Sequence, residues 1–197
     1  MKRMKIVLVV TIVIVVIVGI GFSLNSDHTN PSVFVAQLLI DTDTFPDGWA
    51  HNRDAPQNLF EDSLINHVFR SWGQINGGSG SAYQDIERSK NSLQAYINYR
   101  ATLNSQLYFQ KDPEKYLIEF HKPNEIEFTG EFANNSILLC GWYEWSYCEY
   151  IAQYKNYVVH FYAELEMDYQ GHHTDGLTFT EFERILYTID KKFAPVQ

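Results

Sequence analysis

Histidine and carboxylate side chains are the groups in this sequence that could carry chemistry. The dipeptide His172-His173 lies just before Asp175, and His160 lies upstream in a stretch with strand-like alternation. Imidazole and carboxylate groups bind transition metals such as zinc. Neighbouring histidines on an extended chain point in different directions, so this spacing does not favour a metal site. The sequence therefore predicts no metal and no cofactor.

The same histidines, or carboxylates gathered in one cleft, could act as general acid and base in a hydrolase of the cell envelope. Carboxylate pairs such as Asp41 and Asp43 exist, but the pattern places them on loops, where charges are ordinarily solvated. The chain contains neither a G-x-S-x-G nor an H-E-x-x-H motif. These features favour a non-catalytic protein, with the hydrolase as the alternative.

Cys140 and Cys148 are the two cysteines of the chain. Their C-x7-C spacing is not that of a zinc site, and in an exported chain two cysteines so close together indicate one disulfide. Closing a loop this short stabilises a protein by roughly 2.5 kcal/mol in the chain-entropy model. We expect a structural crosslink.

Three successive strands between residues 135 and 166 are predicted to position these cysteines. If Lys155-Asn156 is a two-residue turn, the paired residues that follow from it share one apolar face. The predicted pairs are Tyr154 with Tyr157, Ala152 with Val159, Tyr150 with Phe161 and Cys148 with Ala163. The opposite face is mixed, as expected next to water or a second layer, and carries Glu149, Ile151, Gln153, His160, Tyr162 and Glu164.

The turn Tyr143-Glu144-Trp145 would pair Cys140 with Cys148 on the apolar face. It would leave Tyr143, Trp145 and Tyr147 on or beyond the other face. Large aromatic rings that the core does not use can mark a binding surface for a ligand or partner, and this is the candidate site. The alternative is that these rings pack under the connector or another helix.

The remaining elements indicate an α+β fold, in which helices pack on an antiparallel sheet. A helix is predicted from Asn91 or Ser92 to about Phe109, and a last helix from Thr178 or Thr180 to about Phe193. The buried stripe of the first is expected to be Leu93, Tyr96, Ile97, Arg100, Leu103 and Leu107, and that of the last Phe179, Phe182, Ile185, Leu186 and Ile189. Short strands are expected at 116–120 and 126–128, a hairpin at 64–88 whose first arm could be helical, a loop at 51–62 and a short helix at 33–40.

The first 24 residues differ in composition from the rest. Three basic residues precede a run of nineteen uncharged residues, 6–24, which as a helix would span roughly 28 Å. This pattern predicts a single-pass anchor in the cell membrane, with a linker at 25–32 and an extracytoplasmic domain at 33–197. A cleaved signal peptide is the alternative.

The charge of the exported part restricts its partners. Without the three basic residues at its start, the chain has 12 Lys and Arg against 24 Asp and Glu, a net charge of −12. Such a surface repels phosphate backbones and anionic headgroups, so nucleic acid is excluded as a partner and only the N-terminal helix is expected to contact membrane. Cationic, protein and small-molecule partners remain open.

The pattern D-x-F-P-x-G-W, formed by Asp43, Phe45, Pro46, Gly48 and Trp49, is followed by the cysteine hairpin, by Tyr154-x-x-Tyr157-Val158-Val159 and by a closing helix. Over residues 33–193 this order resembles exported bacterial lipoprotein and sensor-type domains of the PsbP/Mog1-like kind. The resemblance implies a central antiparallel sheet between helices and a binding, sensing or assembly role without catalysis. It assigns no catalytic residue.

We therefore expect a membrane-anchored extracytoplasmic module that binds or senses an unidentified ligand without catalysis. The alternatives are the envelope hydrolase and a structural subunit of a membrane complex.

Overall fold

A computed structural model describes residues 35–56, 67–75, 78–108, 122, 124–142, 146–166 and 175–196. The predicted anchor at 1–24, its signal-peptide alternative and the linker at 25–32 lie outside these residues, as does the strand predicted at 116–120. In the described part of the chain, no helix has the length and apolar character that a membrane crossing needs.

Six strands form one antiparallel sheet in the order β1-β2-β3-β6-β5-β4. Helices pack on it, which confirms the α+β class. The strands are β1 (Trp49–Pro56), β2 (His67–Gln74), β3 (Ser81–Arg88), β4 (Asn135–Trp142), β5 (Ser146–Tyr154) and β6 (Tyr157–Glu164).

The register predicted for the last three strands is confirmed at every pair. Tyr154 lies opposite Tyr157 and Cys148 opposite Ala163. Across the other hairpin, Cys140 lies opposite Cys148. Lys155 adopts a positive φ of 51° in the turn, as tight hairpin turns require. Because side chains alternate along a strand, this register sorts the sheet into two faces, here called inner (the cysteine face) and outer.

The loop predicted at 51–62 is wrong for residues 51–56, which form most of β1. This strand lies at the edge of the sheet and exposes His51, Asn52 and Arg53, and its register shifts between His51 and Arg53. A polar edge strand lacks the alternation that identifies a half-buried one, and it therefore resembles a loop. The hairpin expected at 64–88 is confirmed, and its first arm is strand rather than helix.

The last helix, α2 (Phe179–Phe193), packs on the inner face and is followed by a 3-10 turn, Ala194–Val196. Thr178 caps it with a capping box: its hydroxyl accepts from the Glu181 N–H, and the Glu181 side chain accepts from the Thr178 N–H. Its predicted apolar stripe is confirmed, and Phe182 stacks on Phe161 of the sheet at 5.6 Å between ring centres.

The segment 35–45 covers the inner face beside α2. Where the helix was expected at 33–40, the described residues form a 3-10 turn, Val35–Leu38, and a second 3-10 turn follows at Thr42–Thr44. The Gln84 amide oxygen accepts from the Ile40 N–H at 2.8 Å, and Arg70 donates to the Ile40 carbonyl at 3.2 Å. Side-chain bonds to its backbone hold this segment, so no long helix is needed.

A buried carboxyl group joins the inner layers. Asp190 of α2 accepts hydrogen bonds from the Tyr154 hydroxyl at 2.9 Å and from the N–H groups of Glu131 and Phe132 at 2.7 and 3.2 Å. The Tyr150 hydroxyl lies 3.0 Å from that of Tyr154. Burial raises the pKa of Tyr150 to about 12, so this hydroxyl is neutral at ordinary pH. The network connects helix, sheet and the loop before β4.

The strand predicted at 126–128 falls in that loop, and the prediction is wrong. Residues 126–128 form no strand, although Ile126 and Phe128 are both buried in the inner core. Phe128 packs edge-on against Tyr150 at 5.3 Å. A short apolar run can fill a core without joining a ladder, and a sequence pattern does not separate the two cases.

The other long helix, α1 (Ser92–Tyr108), packs on the outer face, so the sheet lies between helices. The Asn91 side chain caps it by accepting from the Gln94 N–H at 2.8 Å. The predicted stripe is wrong at four positions, because Leu93, Tyr96, Ile97 and Arg100 face solvent. The helix buries Ala95, Tyr99 and Leu103 instead.

Candidate functional site

The outer face is divided along its length. At one end α1 packs on it, with Ala95, Tyr99 and Leu103 against Ile151 and Val158 of the sheet. The Gln153 side chain there donates to the Ser92 carbonyl at 2.9 Å. The other end leads toward the turn between β4 and β5, and it carries rings and titratable groups in place of aliphatic side chains.

Three tyrosines from three neighbouring strands stack at that end. Tyr83 of β3 lies directly opposite Tyr162 of β6, and their rings are nearly parallel at 5.1 Å between centres. Tyr147 of β5 stacks on the other side of Tyr162 at 5.5 Å. Phe69 of β2 extends the row, 5.6 Å from Tyr83. The rings thus form a continuous aromatic row across four strands.

A histidine and a glutamate lie beside this row. His160 Nε2 is 3.3 Å from Glu149 Oε2, and the Tyr83 ring meets the imidazole edge-on at 5.3 Å. Glu149 is only 5% exposed. We call Tyr83, Tyr147, Tyr162, His160 and Glu149 the outer-face cluster. A buried carboxyl group beside an imidazole can accept a proton or pair with a cation.

Burial raises the pKa of Tyr83 and of Tyr147 well above the ordinary value, and the charge of Glu149 adds to the shift. Both hydroxyls therefore stay protonated at physiological pH and act as neutral donors. The cluster combines aromatic rings, neutral hydroxyls and a carboxyl group, a set that suits cationic or neutral polar ligands better than anions.

A second pair of titratable groups extends the cluster toward β2. His67 contacts Asp85 of β3, and Asp85 lies opposite His160 across the β3–β6 ladder. The hydrogen bond to Asp85 raises the pKa of His67 above its ordinary value, with burial acting in the opposite direction. Histidine and carboxyl groups thus alternate over four strands, from His67 through Asp85 and His160 to Glu149.

Of the three predicted binding residues, Tyr147 is the one that the structure describes. Tyr147 lies on the outer face, as the strand parity predicts, and is buried against Tyr162. Tyr143 and Trp145 lie outside the described residues. The binding role of all three stays a prediction. Tyr147 belongs to the outer-face cluster, which continues toward their turn.

Cys140 and Cys148 form the predicted disulfide, with Cα atoms 4.1 Å apart on the inner face. It crosslinks β4 to β5, and β5 carries Tyr147 and Glu149 on its other face. Its place in the core fits a structural role and leaves no thiol for chemistry among the described residues.

The metal hypothesis gains no support from the positions of its residues. His172 and His173 lie outside the described residues, and His160 faces Glu149. Among the residues that the structure describes, no group of three or more histidine, cysteine or acidic side chains could hold a metal ion. Asp175 instead accepts from the Ser79 N–H at 3.1 Å.

Sequence reasoning missed Tyr83, His67 and Asp85 as members of one site. The strands that carry them were predicted, but the pairing of β3 with β6 joins residues that are about eighty positions apart in sequence. A signal was present in β3, where Tyr83, Asp85 and Glu87 alternate with buried residues.

Comparison of the chain with protein-family models, with curated proteins and with solved structures finds no match.

Proposed function

We propose that this protein is a membrane-anchored extracytoplasmic module that binds or senses a ligand without catalysis, and that the ligand contacts the outer-face cluster. The observation that carries the proposal is the cluster itself: Tyr83, Tyr162 and Tyr147 form an aromatic row beside the buried carboxyl group of Glu149. Burying a carboxyl group costs stability, so it is retained most readily where it serves another purpose.

The charge of the site and of the domain both favour a cationic ligand. Glu149 and Asp85 lie on this face, and the exported part carries a net charge of −12. Rings attract cations, and a carboxylate supplies the opposite charge. The anchor, predicted at residues 6–24, would hold the site outside the membrane, where small molecules and envelope proteins can reach it.

The proposal is tested by thermal unfolding of the full chain in nanodiscs with spermidine, choline, glucose and succinate as probes. At about 100 times its Kd a ligand stabilises by roughly 2.7 kcal/mol, which for a domain of this size raises Tm by about 5 to 10 °C. We expect one of the cationic probes to raise Tm in the wild type and not in Glu149→Gln. Glu125→Gln, an exposed glutamate elsewhere, is the matched control and should respond like the wild type.

Equal stabilisation of wild type and Glu149→Gln by every active probe, or by none, would contradict the placement of the ligand at the cluster. The predicted tip residues are tested alongside as Tyr143→Ala with Trp145→Ala, against Tyr187→Ala, an exposed tyrosine of α2. Loss of the probe response in the tip variant alone would place the contact at the turn.

The envelope hydrolase remains the second candidate because His160 and Glu149 lie 3.3 Å apart, as a base and its orienting carboxyl group would. The Ser81 hydroxyl of β3 donates to Glu164 at 2.7 Å, so it is already engaged in a hydrogen bond. Turnover of ester or glycoside substrates that His160→Gln abolishes would favour the hydrolase over the binding module.

A further inference from the structure

The outward side of α1 carries an apolar patch that the described part of the chain leaves exposed. Leu93, Tyr96 and Ile97 are 51%, 42% and 50% exposed, and their spacing of three and four residues places them next to one another on the helix. Only Ile75 and Tyr187 are exposed in the same way elsewhere in the described residues. We call Leu93, Tyr96 and Ile97 the α1 patch.

The helix packs on the sheet through a neighbouring side. Ala95, Tyr99 and Leu103 are buried against β5 and β6, and the Tyr96 ring stacks on that of Tyr99 at 6.4 Å between centres, so the α1 patch borders the buried side while about half of each of its side chains stays exposed. A surface helix in a globular domain ordinarily has one apolar side and one polar side. An apolar side directed at solvent indicates a further contact, with something outside the domain.

The charge around the α1 patch distinguishes it from the rest of the molecule. The seventeen residues of α1 include no aspartate or glutamate, although the chain has 24. Arg100 is exposed one turn along the helix, and Lys90 is exposed just before it. A tyrosine, two aliphatic side chains and flanking basic groups form the composition that suits the boundary between lipid headgroups and acyl chains.

The size of the α1 patch favours a lipid surface over a second protein as its partner. Three half-exposed side chains offer on the order of a few hundred Å2, whereas a stable protein interface needs about 800 Å2 from each partner. A weak lipid contact can still form when a tether keeps the effective concentration of the patch at the membrane high. The anchor predicted at residues 6–24 would supply such a tether.

We propose that the α1 patch inserts into the surface of the membrane that holds the N-terminal anchor. The proposal rests on the anchor of the proposed function. The net charge of the domain predicts that its surface repels anionic headgroups. This helix, which has no acidic residue, would be a local exception to that prediction. The contact would fix the orientation of the domain on the membrane.

The experiment uses the full chain in phosphatidylcholine vesicles that contain a lipid with a photoreactive acyl chain, and mass spectrometry maps the labelled residues. We expect label on the peptide around Leu93 to Arg100, with a loss of at least fivefold in the triple variant L93S/Y96S/I97S. The matched control changes the two other exposed apolar residues, I75S/Y187S, and should keep the label on α1. Surface changes of this kind alter stability little, which circular dichroism checks.

Label on residues 6–24 reports the anchor independently. With those residues labelled and α1 unlabelled, the α1 contact is overturned and the anchor stands. With neither labelled, both are overturned. The proposal is supported if residues 6–24 and α1 are both labelled and the triple variant, but not the control, loses the label on α1.

Discussion

Each face of the sheet buries one acidic side chain, Asp190 on the inner side and Glu149 on the outer side, at 3% and 5% exposure. Asp190 accepts three hydrogen bonds, from a tyrosine hydroxyl and from two backbone N–H groups of the loop before β4. Glu149 meets the imidazole of His160 at 3.3 Å. The inner group joins helix, sheet and the loop before β4, whereas the outer group lies beside the row of tyrosine rings.

The inward and outward side chains of β5 and β6 have different surroundings. Inward side chains of β5 and β6 pack with α2 and the segment 35–45 into one apolar core. Outward side chains pack with α1 at one end and form the outer-face cluster at the other. The larger core thus lies on the inner face, and the outer face holds a smaller core beside the outer-face cluster. The following experiments test this division.

The largest effect is expected from Asp190→Ala. The change leaves the Tyr154 hydroxyl and the Glu131 and Phe132 N–H groups without their acceptor, which should lower the free energy of unfolding by about 3 to 5 kcal/mol. Urea unfolding measures it. Tyr154→Phe, which removes one hydroxyl, should cost about 1 to 2 kcal/mol, and a loss below about 1 kcal/mol for Asp190→Ala would show that the network is not structural.

Reduction of the Cys140–Cys148 disulfide should cost about 2.5 kcal/mol, because the unfolded chain regains the freedom of the closed loop. Urea unfolding with and without a reductant measures the difference. A Cys140→Ala/Cys148→Ala variant controls for other effects of the reductant, since its stability should not respond to it. An unchanged midpoint in the wild type would contradict a structural role for the bond.

On the outer face, His160→Gln should change the free energy of unfolding by less than about 1 kcal/mol, close to the effect of His51→Gln on the exposed edge strand. It should still remove the response to the stabilising probe. A loss of several kcal/mol would mean that the cluster holds the fold together, and the contrast between the two faces would fail.

The smallest effect is expected from the His67–Asp85 pair, as a dependence on pH. The pKa of His67 is raised in the folded state, so the pair stabilises fully below the unfolded pKa of about 6.5 and loses its contribution as pH rises through the folded value. The stability difference between wild type and His67→Gln should be larger at pH 5.5 than at pH 8.5. Asp85→Asn should abolish that difference, and a pH-independent difference would contradict the pair.

Strand parity and helix capping account for what the sequence could predict. The β4–β5–β6 register follows from the period of two and two short turns, and the start of α2 from Thr178 and Glu181. The orientation of α1 could not be predicted, because Leu93, Tyr96 and Ile97 form as regular a stripe as the side that packs on the sheet. β1 was missed because an edge strand exposes polar residues.

The sites were harder to predict than the elements, because their members come from strands distant in sequence. Tyr147 was singled out, but its stacking on Tyr162 and the connection to Tyr83 depend on the β3–β6 pairing. Asp190 offered no sequence signal at all, since an aspartate near the end of a helix is ordinarily exposed. Only the packed fold shows which polar groups are buried and what they contact.

The most direct test of the division between the faces is a matched pair of isosteric changes, Asp190→Asn and Glu149→Gln, compared by urea unfolding at pH 7. Each replaces a buried carboxyl group with an amide of the same shape. We expect Asp190→Asn to cost at least about 2 kcal/mol, because an amide nitrogen or a single oxygen would then face the donors, and Glu149→Gln to stay within about 1 kcal/mol of the wild type. Equal losses at the two positions would contradict the account and make the outer-face cluster part of the structural core.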